Sequence, residues 1–134
     1  MMTKGIIGAI SSMLMLFVLV FVNDPVASKE RDWNECLEKY DSKWGSDCAN
    51  CMESKDTYLV SLRNVCTEKI DCMVCVQEKY KNWRCYSHYD LMPRDTVYGY
   101  ACKGAGRYLY WVKRAGDTET AFPTISEVNS TYTD

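Results

Sequence analysis

The feature that most constrains how this 134-residue chain can fold is its set of eight cysteines. An even number of cysteines in a short exported chain is typical of a disulfide framework, because an oxidising compartment pairs its thiols. We therefore predict four disulfides, whose pairing the sequence leaves open. The predicted disulfide cysteines are Cys36, Cys48, Cys51, Cys66, Cys72, Cys75, Cys85 and Cys102.

The N-terminal segment indicates the compartment in which these cysteines fold. Lys4 precedes an uncharged apolar run over residues 5–22, which Pro25 and small residues follow. This order is that of a secretory signal peptide. We predict that residues 1–28 are a signal peptide cleaved after Ser28, and that the mature protein is secreted and extracellular. An uncleaved anchor is the alternative, because a run of this length could just span a bilayer.

Two CxxC pairs raise other possibilities for the cysteines. Cys48/Cys51 and Cys72/Cys75 stand at a spacing that also suits a zinc site. Zinc binding would leave the other four cysteines as free thiols in an oxidising compartment, and a thioredoxin-type redox pair would need a βαβ pattern around it. We favour the disulfide framework over both, and we predict no metal and no cofactor.

The spacing of apolar residues predicts helices in the first two-thirds of the mature chain. Apolar side chains and cysteines recur at helical intervals over residues 32–45, 47–68 and 71–83. Asp32 is the predicted N-cap of the first segment, with Glu35 at the capping-box position. Cysteines three apart on a helix share one face, which would direct both toward neighbouring elements.

The period of the apolar pattern changes to two after residue 95. Two strands flank Gly104-Ala105-Gly106, which predicts a β-hairpin with Leu109 and Trp111 packed against the helices. The predicted fold class is a small disulfide-rich, mainly α domain with three helical segments and a C-terminal β-hairpin, over residues 29–114. A domain of this size is marginal on its core alone, so the disulfides would supply much of its stability.

The last twenty residues have a different composition. Residues 115–134 are rich in Thr and Ser, and they contain four acids, no base and no cysteine. This composition predicts a disordered acidic tail. Asn129 begins an Asn-Ser-Thr sequon, which predicts a glycosylation site and a glycoprotein. Lys113-Arg114 is a basic pair at which the tail could be removed by processing.

Bases are concentrated in the second half of the predicted domain. Residues 79–114 contain 8 bases and 2 acids, whereas residues 29–78 contain 7 bases and 11 acids. The basic segment is also rich in Tyr and Trp, which favour protein interfaces because they bury large areas and keep a polar atom. We predict that it presents a basic, aromatic binding face; a competing interpretation assigns most of its rings to the core. The candidate binding residues are Arg84, Tyr86, Tyr89, Arg94, Tyr98, Tyr100, Lys103, Arg107, Tyr108 and Tyr110.

These features predict a small secreted binding protein. Its expected partner is an extracellular receptor, channel or acidic glycan, on which it acts as a signalling ligand, toxin-like modulator or defence factor. A nucleic-acid partner is not expected, because the chain is exported and its overall formal charge is −2. No membrane insertion is expected after signal cleavage, since no second apolar run of spanning length is present.

An enzymatic function is not expected from the sequence. The chain has a single histidine, His88, and no motif places a nucleophile beside it, so no catalytic residue is predicted. Two alternatives stay open. One is an inhibitor of an extracellular hydrolase that presents residues 87–95 as a disulfide-braced loop. The other is a small secreted hydrolase that depends on His88.

Overall fold

The computed structural model describes residues 31–133, which form two three-stranded antiparallel β-sheets. The predicted signal peptide, residues 1–28, lies outside these residues. A short 3-10 turn precedes the first strand, and one short helix lies near the end of the chain. The elements are the 3-10 turn Trp33–Cys36, β1 Leu37–Trp44, β2 Tyr58–Asn64, β3 Ile70–Glu78, β4 Trp83–Leu91, β5 Thr96–Ala101, β6 Gly104–Arg114 and α1 Ile125–Thr131.

The two sheets pack face to face around the main core. The first sheet has the order β1-β2-β5 and the second has the order β4-β3-β6. Gly99 of β5 allows the sheets to approach closely, because a Cβ there would lie 2.8 Å from Val74 Cγ1 and 2.9 Å from Val76 Cγ2. The fully buried side chains of this core come from both sheets, and they include Leu37, Val60, Leu62, Ile70, Cys72, Val74 and Val76.

The prediction of a mainly α domain is wrong. The segment expected to be the third helix is the central strand β3, whose first eight residues are all buried. A strand buried on both faces has no polar alternation, so its apolar run is compatible with a helix or a strand. The residue types favour the strand: the run Cys72-Met73-Val74-Cys75-Val76 contains β-branched side chains and is only nine residues long with its flanks.

The other two predicted helices are also absent, each for a different physical reason. Asp32 does act as an N-cap, accepting from the Asn34 N–H at 3.0 Å, but it caps only the 3-10 turn. The strand β1 follows at once, and a register shift between Lys39 and Asp41 breaks its alternation. Within the expected second helix, residues 47–57 are an irregular connection, and only Tyr58–Asn64 form a regular element, β2.

The predicted C-terminal hairpin has the right strands and the wrong partners. β5 pairs with β2 and β6 pairs with β3, so the two strands lie in different sheets. Gly104, expected in the loop, pairs with Glu78 inside the second sheet, where a Cβ would overlap Tyr58 Cβ. Gly106 has φ +79° and lies in a bulge where three β6 residues oppose one residue of β3. The three residues therefore form a bulged strand start, not a hairpin loop.

The helix α1, Ile125–Thr131, lies within the tail that was expected to be disordered. Val128 of α1 is fully buried against the outer face of the second sheet, beside Met73 and Trp83. The Trp83 N–H donates to Asn129 Oδ1 at 2.7 Å, and Trp83 Nε1 donates to the Tyr132 carbonyl at 2.6 Å. Composition predicted disorder because the segment is polar, yet a few apolar side chains suffice when an apolar sheet face is present to receive them.

The structure contains three disulfides, one fewer than expected. They are Cys36–Cys66, Cys51–Cys102 and Cys75–Cys85, and the thiols of Cys48 and Cys72 are free. Cys72 is buried between the sheets, with His88 and Val112 as its cross-strand neighbours, so no cysteine stands opposite it. Cys48 lies in the connection between β1 and β2. Within residues 31–133 no group of three or more Cys, His, Asp or Glu side chains is arranged to hold a metal ion.

The packing of the C-terminal helix can be tested with Val128→Ala. Loss of this buried side chain should lower the free energy of unfolding by about 2 kcal/mol, because it leaves a cavity against the second sheet. Urea unfolding followed by tryptophan fluorescence measures the change. Ser126→Ala, on the exposed side of the same helix, is the matched control and should stay within about 0.5 kcal/mol of the parent. Equal behaviour of both variants would mean that the helix is not docked.

Candidate binding surface

Two turns meet at one end of the second sheet. The turn over residues 79–82 joins β3 to β4, and Cys102 and Lys103 join β5 to β6. The Lys79 N–H donates to the Lys103 carbonyl at 2.8 Å, which ties the two turns together. The Lys81 N–H donates to the Glu78 carbonyl at 2.9 Å, and Lys81 has φ +72°. A residue with positive φ lets a short connection reverse direction between antiparallel strands.

These turns gather five exposed bases, which we call the basic end. Glu78 is the only acid in residues 78–84 and 102–107, so these two segments carry five bases and one acid, a net charge of +4. At the opposite end of the sheet, residues 67–71, 90–95 and 113–117 carry four bases and five acids, net −1. The positive charge is therefore concentrated at one end. The basic end consists of Lys79, Lys81, Arg84, Lys103 and Arg107.

Two of the five bases are held in place by neighbouring groups. Arg84 forms an ion pair with Glu78, and Asn82 Nδ2 donates to the same carboxylate at 2.9 Å. The Arg107 guanidinium lies 5.7 Å from the centre of the Trp83 ring, in a cation–π arrangement. The three lysines form no ion pair with any of residues 31–133. Their ammonium groups are therefore available to an external anion.

A groove of about 590 Å³ lies beside the basic end. One wall comes from the β1–β2 connection and carries Glu53 and Asp56, a charge of −2. The other carries Lys103 and the ion-paired Arg84 and Glu78, a net charge of +1. Tyr80 stands at its edge with 77% of its surface exposed. The backbone holds the two walls together, because the Gly104 N–H donates to the Asp56 carbonyl at 2.9 Å. The groove is thus charged oppositely on its two sides.

The ten candidate binding residues do not form one continuous face. Arg84, Lys103 and Arg107 lie together in the basic end. Arg94 lies in the turn between β4 and β5, at the opposite end of the second sheet. Tyr89 is exposed on β4, and Tyr98 is exposed on the first sheet. These exposed aromatic residues are therefore separate from the cluster of bases.

The remaining candidate tyrosines are occupied by contacts inside the protein. The Tyr86 ring stacks on Tyr100 with centroids 5.2 Å apart, and the Tyr86 hydroxyl donates to the Tyr100 carbonyl at 2.9 Å. Burial raises the pKa of Tyr86 to about 12. Tyr108 and Tyr110 stack on each other and pack against the main core. Tyr86 and Tyr100 are half-buried and contact each other, and Tyr108 and Tyr110 are half-buried against the main core.

Lys79, Lys81 and Tyr80 belong to the surface although they were not among the candidate residues. The sequence holds a signal for them, since Lys79-Tyr80-Lys81-Asn82 is a polar stretch between two β-rich runs, as in a hairpin turn. Asn is a common turn residue, and here Asn82 Nδ2 donates to the Glu78 carboxylate across the turn. The helical interpretation of residues 71–83 hid this signal, because it put the same residues on the side of a helix.

His88 lies on β4 directly across from Cys72 of β3. Its Nε2 is buried and has no hydrogen-bond partner among the described residues. Burial lowers the pKa of His88, and burial raises the pKa of the Cys72 thiol to about 12, with Asp71 adding to the effect. The pair therefore consists of a neutral imidazole and a protonated thiol. This is the opposite of the thiolate–imidazolium pair that activates a nucleophilic cysteine.

Residues 87–95, considered as an inhibitory loop, are mostly part of a strand. Ser87 to Leu91 belong to β4, and only residues 92–95 form a turn. The turn is tied to the core by the Arg94 N–H, which donates to the Asn64 carbonyl at 2.8 Å. No disulfide cysteine lies within this segment.

The chain matches no protein-family model, no curated protein and no solved structure. None of the helices in residues 31–133 is long and apolar enough to cross a membrane.

The state of His88 can be tested by pH titration, because it is the only histidine in the chain. Its NMR titration midpoint in the folded protein should lie below 6.5. Above pH 6.5 the ring is neutral in both the folded and the unfolded chain. As the pH falls below 6.5, the unfolded chain takes up a proton first, so the free energy of unfolding declines until the lowered folded pKa is passed.

His88→Gln should remove this component of the pH dependence and leave the parts due to carboxylates at lower pH. The measurement is the free energy of unfolding at several pH values for both proteins. A midpoint at or above 6.5, or identical pH profiles for the parent and the variant, would contradict the buried neutral imidazole.

Proposed function

We propose that this protein is a secreted extracellular binding protein that docks its basic end on an acidic partner. The observation that carries the proposal is the collection of five exposed bases on two adjoining turns, with one acid among them. Partners of opposite charge are attracted over a Debye length of about 8 Å at physiological salt. Such a surface raises the association rate and selects for acidic partners.

The supports of the basic end suit a surface that meets a partner without rearranging. Cys75–Cys85 joins β3 to β4 close to the turn that carries Lys79 and Lys81. The contact between Lys79 and Lys103 holds the second turn against the first. A preformed surface loses less conformational entropy on binding, so more of the attraction appears as affinity.

The charges that line the groove beside the basic end restrict where an acidic partner can lie. Glu53 and Asp56 on its far wall would repel an acidic partner, while Lys103 and Arg84 attract it. Tyr80 lines the groove, is mostly exposed and can bury its ring against the partner. We infer that the partner lies over the two turns and does not extend across the acidic wall.

Secretion and glycosylation belong to the same proposal. Three disulfides are consistent with folding in an oxidising compartment, to which the predicted signal peptide would deliver the chain. A glycan at Asn129 would attach to Nδ2, which donates to the Ile125 carbonyl at 3.0 Å. That nitrogen carries two hydrogens, so one remains for this bond after glycosylation.

Affinity measurements with acidic ligands test the proposed function. The oxidised protein should bind immobilised heparin, or an Asp/Glu-rich peptide, and the affinity should fall as salt is raised. The triple variant Lys79→Gln, Lys81→Gln, Lys103→Gln should weaken binding about tenfold, on the order of 0.5 kcal/mol per charge.

The matched control removes three bases from the opposite end of the sheet: Lys69→Gln, Arg94→Gln, Arg114→Gln. Both triple variants lose the same charge, and each contains one site of positive φ, Lys81 or Arg94. Only the first variant should lose affinity. Equal losses would indicate attraction by net charge alone and would overturn the assignment of the basic end, as would absence of binding to both ligands. Preference for heparin or for the peptide identifies the partner as a glycan or a protein.

A further inference from the structure

We propose that Cys48, Cys51 and Cys102 form a thiol–disulfide exchange site, in which Cys48 displaces Cys102 from its bond to Cys51. The starting state is the observed one, with Cys51 bonded to Cys102 and Cys48 free. The product state has Cys48 bonded to Cys51, and Cys102 free. The first CxxC motif would then be a pair of alternative partners for one sulfur, which explains why Cys48 and Cys51 lie three residues apart.

The backbone already brings the two ends of this motif together. The Cys51 N–H donates to the Cys48 carbonyl at 3.2 Å, and Asn50 has φ +67°, so residues 48–51 form a β-turn. The ends of a β-turn lie within about 7 Å of each other, a range that overlaps the Cα separations of disulfides. The separation of the ends of this turn is therefore compatible with a disulfide between Cys48 and Cys51.

Other contacts keep the β1–β2 connection in place when its disulfide moves. The Tyr100 hydroxyl donates to the Ala49 carbonyl at 2.9 Å, and the Gly104 N–H donates to the Asp56 carbonyl at 2.9 Å. The released Cys102 thiol also has an acceptor, because its sulfur lies 3.9 Å from the Asn50 carbonyl oxygen. The product state therefore keeps the three sulfurs close together, and the exchange is reversible.

The chemical step needs no oxidant or reductant. The Cys48 thiol gives its proton to solvent, and its thiolate attacks Cys51 Sγ. The bond between Cys48 and Cys51 forms as the bond between Cys51 and Cys102 breaks, and Cys102 leaves as a thiolate that takes a proton. Burial, with the Asp47 carboxylate, raises the pKa of the Cys48 thiol, so little thiolate is present near neutral pH and exchange is slow there.

The exchange would alter the groove beside the basic end, because Cys102 is part of its lining. In the product state no disulfide joins the β1–β2 connection, which carries Glu53 and Asp56, to the turn that carries Lys103. The second free thiol does not take part, since Cys72 is fully buried between the sheets.

Disulfide mapping tests this proposal without reference to any binding partner. The oxidised full chain is incubated at mildly alkaline pH without added thiol, trapped with N-ethylmaleimide at acidic pH, and digested without reduction. We expect two species: Cys51–Cys102 with maleimide on Cys48, and Cys48–Cys51 with maleimide on Cys102. The rate at which the second species appears should not depend on protein concentration, because the step occurs within one chain. The variant Cys102→Ser should contain the Cys48–Cys51 disulfide.

Cys48→Ser is the control, and its Cys102 should stay unlabelled. Any of three results would overturn the exchange: no label on Cys102 of the parent after long incubation, free Cys48 and Cys51 thiols in oxidised Cys102→Ser, or labelling of Cys102 in Cys48→Ser. A rate of exchange that rises with protein concentration would show exchange between chains and would also reject it. The heparin and peptide measurements are independent of these outcomes, so failure of one proposal does not imply failure of the other.

Discussion

Burial of β3 on both faces is the constraint on which the rest of the fold depends. One face of this strand, with Val74 and Val76, packs against the first sheet, and the other, with Met73, packs against the C-terminal segment. Both of its edges are paired, with β4 and β6. A strand enclosed in this way requires two flanking strands, a second sheet and a cover. The six strands and the C-terminal helix together meet these requirements.

The disulfides tie irregular connections to the sheets and join neighbouring strands. Cys75–Cys85 links β3 to β4, and both Cys36 and Cys75 are fully buried. Cys36–Cys66 ties the 3-10 turn to the connection after β2, and Cys51–Cys102 ties the β1–β2 connection to the turn after β5. Crosslinks that close loops of 30 and 51 residues stabilise by about 4 kcal/mol each in the chain-entropy picture. Cys51–Cys102 holds the β1–β2 connection beside the basic end, because Cys102 adjoins Lys103. Cys36–Cys66 holds the 3-10 turn to the residues that precede β3.

The candidate site could be predicted in part from its residue types. The excess of bases in residues 79–114 pointed to the segment, and Arg84, Lys103 and Arg107 do lie together. The tyrosines of the same segment divide between exposed and half-buried positions. Tyr86 and Tyr89 stand at odd spacing on β4 and face opposite sides of the sheet. Tyr98 and Tyr100 share a side of β5, and Tyr100 differs because its ring stacks on Tyr86. Which side is inside depends on what covers each face. Composition cannot supply that, so Tyr108 and Tyr110 looked equivalent to the exposed Tyr98.

The sequence by itself determined the chemical character of this protein: a cysteine-rich chain with disulfides, a basic aromatic segment, and two strands on either side of residues 104–106. Only the tertiary structure decided that β3 is a strand, that β5 and β6 belong to different sheets, that Cys48 and Cys72 stay unpaired and that α1 forms within the C-terminal tail. The physical reason is common to all four. Each depends on a partner distant in the chain, and local periodicity reports which side chains share a face but not what that face meets.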